Sequence, residues 1–304
     1  MILCVALNAA LDVTYTVDGV RWHAANRINS VAERAGGKAT NVARVLRALG
    51  DEVLLTGFAA GDTGEHIRRD LAGAGIAEAF LRVPGRSRRT VAVVDTATGD
   101  ATGFWEPGPD VSASDWSAFL DHYHRVVREA SGVVLSGSTP GGLPPDAYAQ
   151  LVSAAHDAGV PAVLDADGAA LRLGAAAGPE ILKPNIEELR AATGLHDVHA
   201  AADLLLRCGA GAVVVSAGAD GLLACTARHR WTARPPDRLS GNPIGAGDAC
   251  VAALARGLVS DTGWPERLAE AVALSASAVL GPLAGDVDLD TYRSLRHRVE
   301  IREI

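Results

Sequence analysis

Short continuous apolar runs alternate with longer amphipathic stretches along almost the whole chain. Ile2 to Leu7 is apolar at every position and reads as a strand buried on both faces. Glu52 to Phe58, Ala79 to Val83, Val133 to Leu135, Pro161 to Leu164, Ile181-Leu182 and Val213 to Val215 repeat the pattern. Between them lie helical periods. One carries Val42, Val45, Leu46 and Leu49 on a single face and stops at Gly50. Others run from Gly64 to Ala74, from the capping candidates Ser112 and Ser114 to Ala130, and onward from Pro144-Pro145, Ile186, Gly247, Pro265 and Asp288. Strand, helix, strand in this rhythm predicts an α/β fold with a central, mostly parallel sheet flanked by helices on both faces. No linker, repeat or low-complexity segment interrupts it, so residues 1–304 read as a single domain.

Three segments depart from the rhythm. Residues 10–20, 27–34 and 88–106 are less apolar and alternate in polarity, which predicts a small, half-exposed β-sheet standing over the main one as a lid. Within the last, Thr96-Ala97-Thr98-Gly99-Asp100 reads as a hairpin turn, and Arg86-Ser87-Arg88-Arg89 as either a solvated edge or a basic site.

Ligands of open parallel sheets bind outside the carboxyl ends of the strands. Asn8, Asp12, Ser138, Asp165, Lys183, Asn185, Ser216 and Asp248 are the polar residues expected to gather there. The clearest chemistry lies in Asn242-Pro243-Ile244-Gly245-Ala246-Gly247-Asp248-Ala249-Cys250, small residues leading into an apolar helix. Free N–H groups at a helix start attract an anion, and Asp248 stands where its carboxylate could take a proton from an attacking hydroxyl. Read alone, the same residues equally describe a glycine-rich turn with Asp248 as an acidic N-cap.

Composition narrows the ligand. A net charge of −8 on 304 residues argues against nucleic acid or an anionic membrane as a partner, so any anionic ligand must be met by local basic groups. Of the 28 basic residues only Lys38 and Lys183 are lysines, and both fall in loops at strand ends. A compact ammonium does not interchange with a planar guanidinium at a crowded phosphate site. Cys4, Cys208, Cys225 and Cys250 lack metal-ligand spacing and are expected to be reduced core residues, as suits the cytoplasm. No leader and no membrane-spanning run is expected, and His122 and His124 are too poorly phased to form a metal pair.

Common nucleotide motifs are missing. Gly36-Gly37-Lys38-Ala39 lacks the upstream glycine and the following hydroxyl of a P-loop, and no strand runs into Gly-x-Gly-x-x-Gly. Val214-Val215-Ser216-Ala217-Gly218 grazes the hydrolase nucleophile elbow without its first glycine, which leaves a hydrolase built on Ser216 as a weak rival.

Six stretches in order carry a resemblance: Asn8 to Asp12, Gly36 to Ala43, Ser136-Gly137-Ser138, Lys183 to Leu189, Ser216 to Gly221 and Gly245 to Asp248. Together they resemble the successive signatures of the ribokinase-like (PfkB) sugar kinases, across most of the chain. Lys38, Arg88 and Glu106-Pro107-Gly108-Pro109 are similar to the phosphohexose branch, which holds 1-phosphofructokinase, tagatose-6-phosphate kinase and the minor 6-phosphofructokinase. The resemblance implies transfer of the γ-phosphoryl of Mg-ATP to a sugar phosphate, with Asp248 as base and the N–H groups of Gly245, Ala246 and Gly247 as anion hole. It implies that Asp12, Gly37 and Asn41 meet the sugar, and that Arg27, Lys38, Arg88 and Ser138 grip its phosphate. Lys183, Asn185, Ser216, Gly218 and Gly221 match ATP-side positions, and Asn185 with Glu188 matches an element linked to Mg2+ largely through water. Lids of this family often pair between subunits, so a homodimer through the lid is a further expectation. Ala9, Ala39, Thr90 and Asp167 depart from the branch pattern, which leaves the reaction class alone and the choice of sugar phosphate open; a catalytically weak, sugar-phosphate-binding regulator is a separate rival that need not keep Asp248, Lys183 and Glu188, all present here.

Overall fold

Alternate residues of each central strand enter two different cores, which is why these strands are apolar throughout. In the computed structural model, which describes all 304 residues, β1 (Ile2–Ala6) sends Ile2, Cys4 and Ala6 to one face of the sheet and Leu3 and Val5 to the other. There follow β2 (Ala10–Val17), β3 (Ser30–Gly36), α1 (Lys38–Ala48), β4 (Val53–Ala60), α2 (Gly61–Gly73), β5 (Ala77–Val83), β6 (Arg88–Asp95) and β7 (Ala101–Trp105). Next come α3 (Ala113–Val126), β8 (Gly132–Ser136), α4 (Ala147–Asp157), β9 (Ala162–Asp165), α5 (Gly168–Ala176), β10 (Ile181–Leu182), α6 (Ile186–Thr193) and α7 (Val198–Cys208). The chain closes with β11 (Ala212–Ser216), β12 (Leu222–Thr226), β13 (Arg230–Arg234), α8 (Ala246–Val259), α9 (Trp264–Ala278), α10 (Leu289–Leu295) and β14 (Glu300–Glu303).

The main sheet has the order β14-β13-β12-β11-β10-β9-β8-β1-β4-β5. From β11 to β5 every pairing is parallel. One core packs α1, α2, α8, α9 and α10 on one face, and the other packs α3 to α7 on the opposite face. The α/β sheet with helices on both faces is therefore as the alternation predicts. Its edge is not, because β12, β13 and β14 are antiparallel. Strands β13 and β14 are short and polar on one side, so their assignment depends on pairing, whereas β12 contains the apolar run Leu222 to Cys225, which is absent from the strands expected above. Ser112 does cap α3, in a capping box with Asp115.

A second sheet of order β3-β2-β6-β7 forms from the alternating segments. Its β2–β6 pairing is parallel and its other two pairings antiparallel. Gly99 at φ +80° turns the β6–β7 hairpin. Cysteine placement needs one correction: Cys4, Cys225 and Cys250 are buried thiols, but Cys208 ends α7 facing solvent. No helix is long and apolar enough to cross a membrane.

Candidate active site

The glycine-rich loop enters α8 with Gly245 as its N-cap, at φ +91°. A Cβ there would stand 3.0 Å from Ala284 Cα, so only glycine gives this turn room. Asp248 is consequently not the cap but sits in the first turn. The N–H groups of Gly245, Gly247 and Asp248 find no acceptor in the protein, as expected at a helix start, whereas that of Ala246 turns back to Pro243 O at 3.3 Å. Gly247 and Asp248, which carry two of these three free donors, line an opening beside the helix start.

Asp248 is buried, and Asn41 Nδ2 of α1 donates to its Oδ2 at 2.8 Å. Burial, reinforced by the nearby Asp165 carboxylate, pushes its pKa up to about 7. A carboxyl poised there can accept a proton near neutral pH.

Asp165 ends β9 and organises the two lysines. Lys183 Nζ and Lys38 Nζ each lie 3.4 Å from its Oδ1, and Ser136 Oγ donates to its Oδ2 at 3.0 Å. Burial alone would raise this carboxyl, yet the two ammonium groups and the hydroxyl hold it below the ordinary carboxylate value. Lys38 also meets Glu188 Oε1 at 3.2 Å. A Cβ on Gly247 would stand 3.8 Å from Lys183 Nζ, which puts that ammonium beside the free N–H groups. Asp165 is expected at the strand ends and Ser136 lies in the Ser136-Gly137-Ser138 stretch, but the motifs give neither a role. Their shared sequence signal is position, at the carboxyl ends of β9 and β8.

Asn185 and Glu188 form a capping box at the start of α6: Asn185 Oδ1 accepts from the Glu188 N–H, and Glu188 Oε2 from the Asn185 N–H, both at 2.8 Å. Both residues line a cavity of about 690 Å³ with Lys38, Lys183, Ser216, Gly218 and Gly221. Its far wall is α9, through Val272, Ser275, Ala276 and Val279. Their three- and four-residue spacing marks one helix face and could have been read from sequence. Segment 235–241, which no motif marks, closes the rim.

On the side of the second sheet, Asp12 of β2 accepts a hydrogen bond from the Thr90 hydroxyl of β6. Burial raises its pKa, against the pull of Thr90 and Arg88. Any Cβ on Gly36 would land on this carboxylate. Arg88 Nε donates to Asn8 O at 3.0 Å, next to Gly37, and Ser138 Oγ accepts from Asn8 Nδ2 at 3.2 Å. Arg89 and Arg86, by contrast, pair with Glu106, so the basic run splits into edge charges and one inward residue. Arg27 does not join Arg88 and Lys38: it is exposed, in the loop between β2 and β3.

Residues 1–291 match the pfkB family of carbohydrate kinases. The chain belongs to this family. Among solved structures, the kinase is similar to phosphofructokinase-2 of Escherichia coli in complex with potassium, at 28% identity over 98% of each chain and a TM-score of 0.91. The complex of phosphofructokinase-2 from Escherichia coli with fructose-6-phosphate matches at 28% identity, 98% of each chain and a TM-score of 0.87. A Thermotoga maritima protein described as a possible 1-phosphofructokinase shares the fold at 24% identity, over 100% of this chain and 99% of that one, with a TM-score of 0.90. The kinase is thus a phosphotransferase acting on a carbohydrate hydroxyl, of the phosphofructokinase type in fold.

Proposed function

We propose that this kinase transfers the γ-phosphoryl of Mg-ATP to a hydroxyl of a phosphohexose, in the manner of a 1-phosphofructokinase or tagatose-6-phosphate kinase. The observation that carries a phosphorylated substrate is Arg88. It is half-buried beside Asp12 and Gly37, makes no ion pair, and has a single carbonyl as acceptor. In an acidic protein, a guanidinium held open in this way is a seat for phosphate. The similarity to phosphofructokinase-2 with bound fructose-6-phosphate favours 6-phosphofructokinase activity as a second reading.

The residues divide the chemistry as follows. Asp12 and Asn41, with Gly37 giving room, hold sugar hydroxyls, and Arg88, Lys38 and Ser138 take the sugar's phosphate. Asp248 accepts the hydroxyl proton as that oxygen bonds to the γ-phosphorus and the bond to the ADP oxygen breaks. The N–H groups of Gly245, Gly247 and Asp248 hold the charge on the moving phosphoryl. Lys183 neutralises the phosphates, while Ser216, Gly218 and Gly221 border the nucleotide opposite α9. Arg27 reaches the site only if its loop folds inward.

No three acidic, histidine or cysteine side chains cluster to hold a metal ion. Glu188 lines the cavity, Lys38 and the Asn185 N–H each taking one of its oxygens, and each oxygen keeps a second lone pair that a water can use. This donor set fits Mg2+ carried mostly by ATP oxygens and waters, with Asn185 and Glu188 orienting those waters. When bound, the ion neutralises phosphate charge. Incubation with Mg-ATP and a panel of sugar phosphates and free sugars, read by ADP release, tests the assignment. Turnover is expected with a phosphohexose and only with divalent metal. Glu188→Gln, which preserves the capping box, is expected to weaken the Mg2+ dependence without changing sugar-phosphate affinity. Turnover of free sugars as fast as of every sugar phosphate would overturn the assignment, and so would release of ADP without any sugar.

We further infer a homodimer through the lid. Val31 and Phe104, 56% and 54% exposed, share one face of the second sheet, and Trp105, 74% exposed, stands on the other; exposed apolar side chains of this size are of the kind that marks an interface. Sedimentation is expected to give a dimer that Trp105→Glu converts to monomer; a monomeric parent protein discards the inference. The buried, unpaired thiols of Cys4, Cys225 and Cys250 support a reducing compartment such as the cytoplasm.

A further inference from the structure

The turn that follows α9 touches three parts of the site at once. Residues 281–286 close on themselves, the Asp286 N–H donating to Leu283 O at 3.0 Å. On one side rests the anion loop. Gly245 packs against Ala284 and Gly285, and the Asn242 N–H donates to Val279 O at 2.8 Å just before the turn. On a second side Gly285, at φ +85°, lets Asn41 and Arg44 come close. A Cβ there would stand 3.2 Å from both Asn41 Cα and Arg44 Cδ. Asn41 is the residue that holds the Asp248 carboxylate. On the third side Asp286 Oδ1 accepts from Arg34 Nη2 at 2.8 Å. Arg34 lies on β3 directly opposite Asp12 of β2.

We propose that Arg34 and Asp286 are a positioning pair that makes the placement of the anion loop depend on the seating of the lid. The turn is packed on Gly245 and Asn41 too closely to move alone, so a shift of Asp286 is passed to the free N–H groups and to Asp248. Displacements of about 1 Å at such groups are enough to slow a reaction strongly. The lid does not depend on this pair to stay folded. Arg44 binds Ala35 O and Asp70, and Asp70 accepts from the Ala35 N–H, which fastens β3 to α1 and α2 independently. Removing the pair therefore breaks the direct ion-pair tie between the turn and β3, leaving only the packing of Gly285 on Arg44, while both remain in place.

This rests on the kinase reading given above, so the test has one readout that needs no substrate. Arg34→Gln, Asp286→Asn, their double variant and Arg34→Lys are made in the full chain. In the substrate-free protein, hydrogen exchange of segment 241–249 is expected to quicken about five-fold in either single variant, with no further increase in the double variant, as coupled residues behave. With the best substrate of the panel, kcat is expected to fall about five- to ten-fold in each single variant and no further in the double, with the KM for ATP almost unchanged. Arg34→Lys, which keeps the ion pair, should restore most of the rate. Unchanged exchange in segment 241–249, or rate losses that multiply in the double variant, would overturn the proposal. If no sugar phosphate is turned over, it is the phosphohexose assignment that fails, and the exchange measurement still decides the pair.

Discussion

Asp248→Asn is expected to cut kcat about 10²- to 10⁴-fold, the range for a positioned general base, while ATP and sugar-phosphate dissociation constants move far less. The amide keeps the size of the side chain and an oxygen that can accept from Asn41. A capping role cannot account for such a loss, because Gly245 is the cap of α8. The same variant should gain stability at alkaline pH. The native carboxyl, with its pKa near 7, holds its proton more tightly than it does in the unfolded chain, where 3.8 applies. The folded state therefore binds the extra proton between these values and loses stability as pH rises from about 4 to 7, with the full cost present above 7. That cost is on the order of 4 kcal/mol. Asp248→Asn does not carry it, so its melting temperature should exceed that of the parent protein at pH 8 and approach it at pH 4. In the parent, kcat/KM should climb with pH up to about 7, as Asp248 loses its proton, and then level off. Near-normal turnover in the variant, or a rate independent of pH below 7, would discard Asp248 as the base.

Arg88→Ala is expected to raise the KM for the sugar phosphate about ten-fold or more, because a charge-assisted contact of roughly 1.5 to 3 kcal/mol is lost. The KM for ATP should hardly change, since Arg88 is not among the residues lining the nucleotide cavity. Arg88 also opposes the rise that burial imposes on the Asp12 pKa, so its loss removes one of the groups that hold this carboxyl down. Arg88→Lys keeps the charge without the planar fork and should recover only part of the affinity. If the alanine variant holds the phosphosugar as well as the parent does, phosphate recognition lies elsewhere, and exposed Arg27 becomes the residue to test next.

The layout of the main sheet was readable from the chain. A strand covered on both faces must be apolar at every position, and a helix covered on one face must repeat its apolar residues every three to four positions. Both rules act within a few residues, so Ile2 to Leu7 and the Val42 to Leu49 face declare themselves. The antiparallel edge strands β13 and β14 did not, because half-exposed strands depend on the neighbour they pair with. Helix α5, rich in alanine and glycine, shows little polar contrast and was equally silent.

The same division runs through the site. Glycine-rich loops before helices are local features, and they pointed to Gly245, Gly247 and Asp248 and to Gly37 and Lys38. Scarcity of lysine singled out Lys38 and Lys183 before any contact was known. Only the folded chain shows that Asp165 stands between those two ammonium groups, that Ser136 completes its shell, and that burial beside the Asp165 carboxylate lifts Asp248 to a pKa near 7 against the pull of both lysines. It also separates Arg27 from Arg88, ties Thr90 to Asp12, and brings Asp286 to Arg34 from the far end of the chain. Which side of an element is buried follows from periodicity, a property of neighbours in sequence. How strongly a buried charge is held depends on desolvation and on ion separations of a few ångströms between distant segments, and those arise only when the segments pack together.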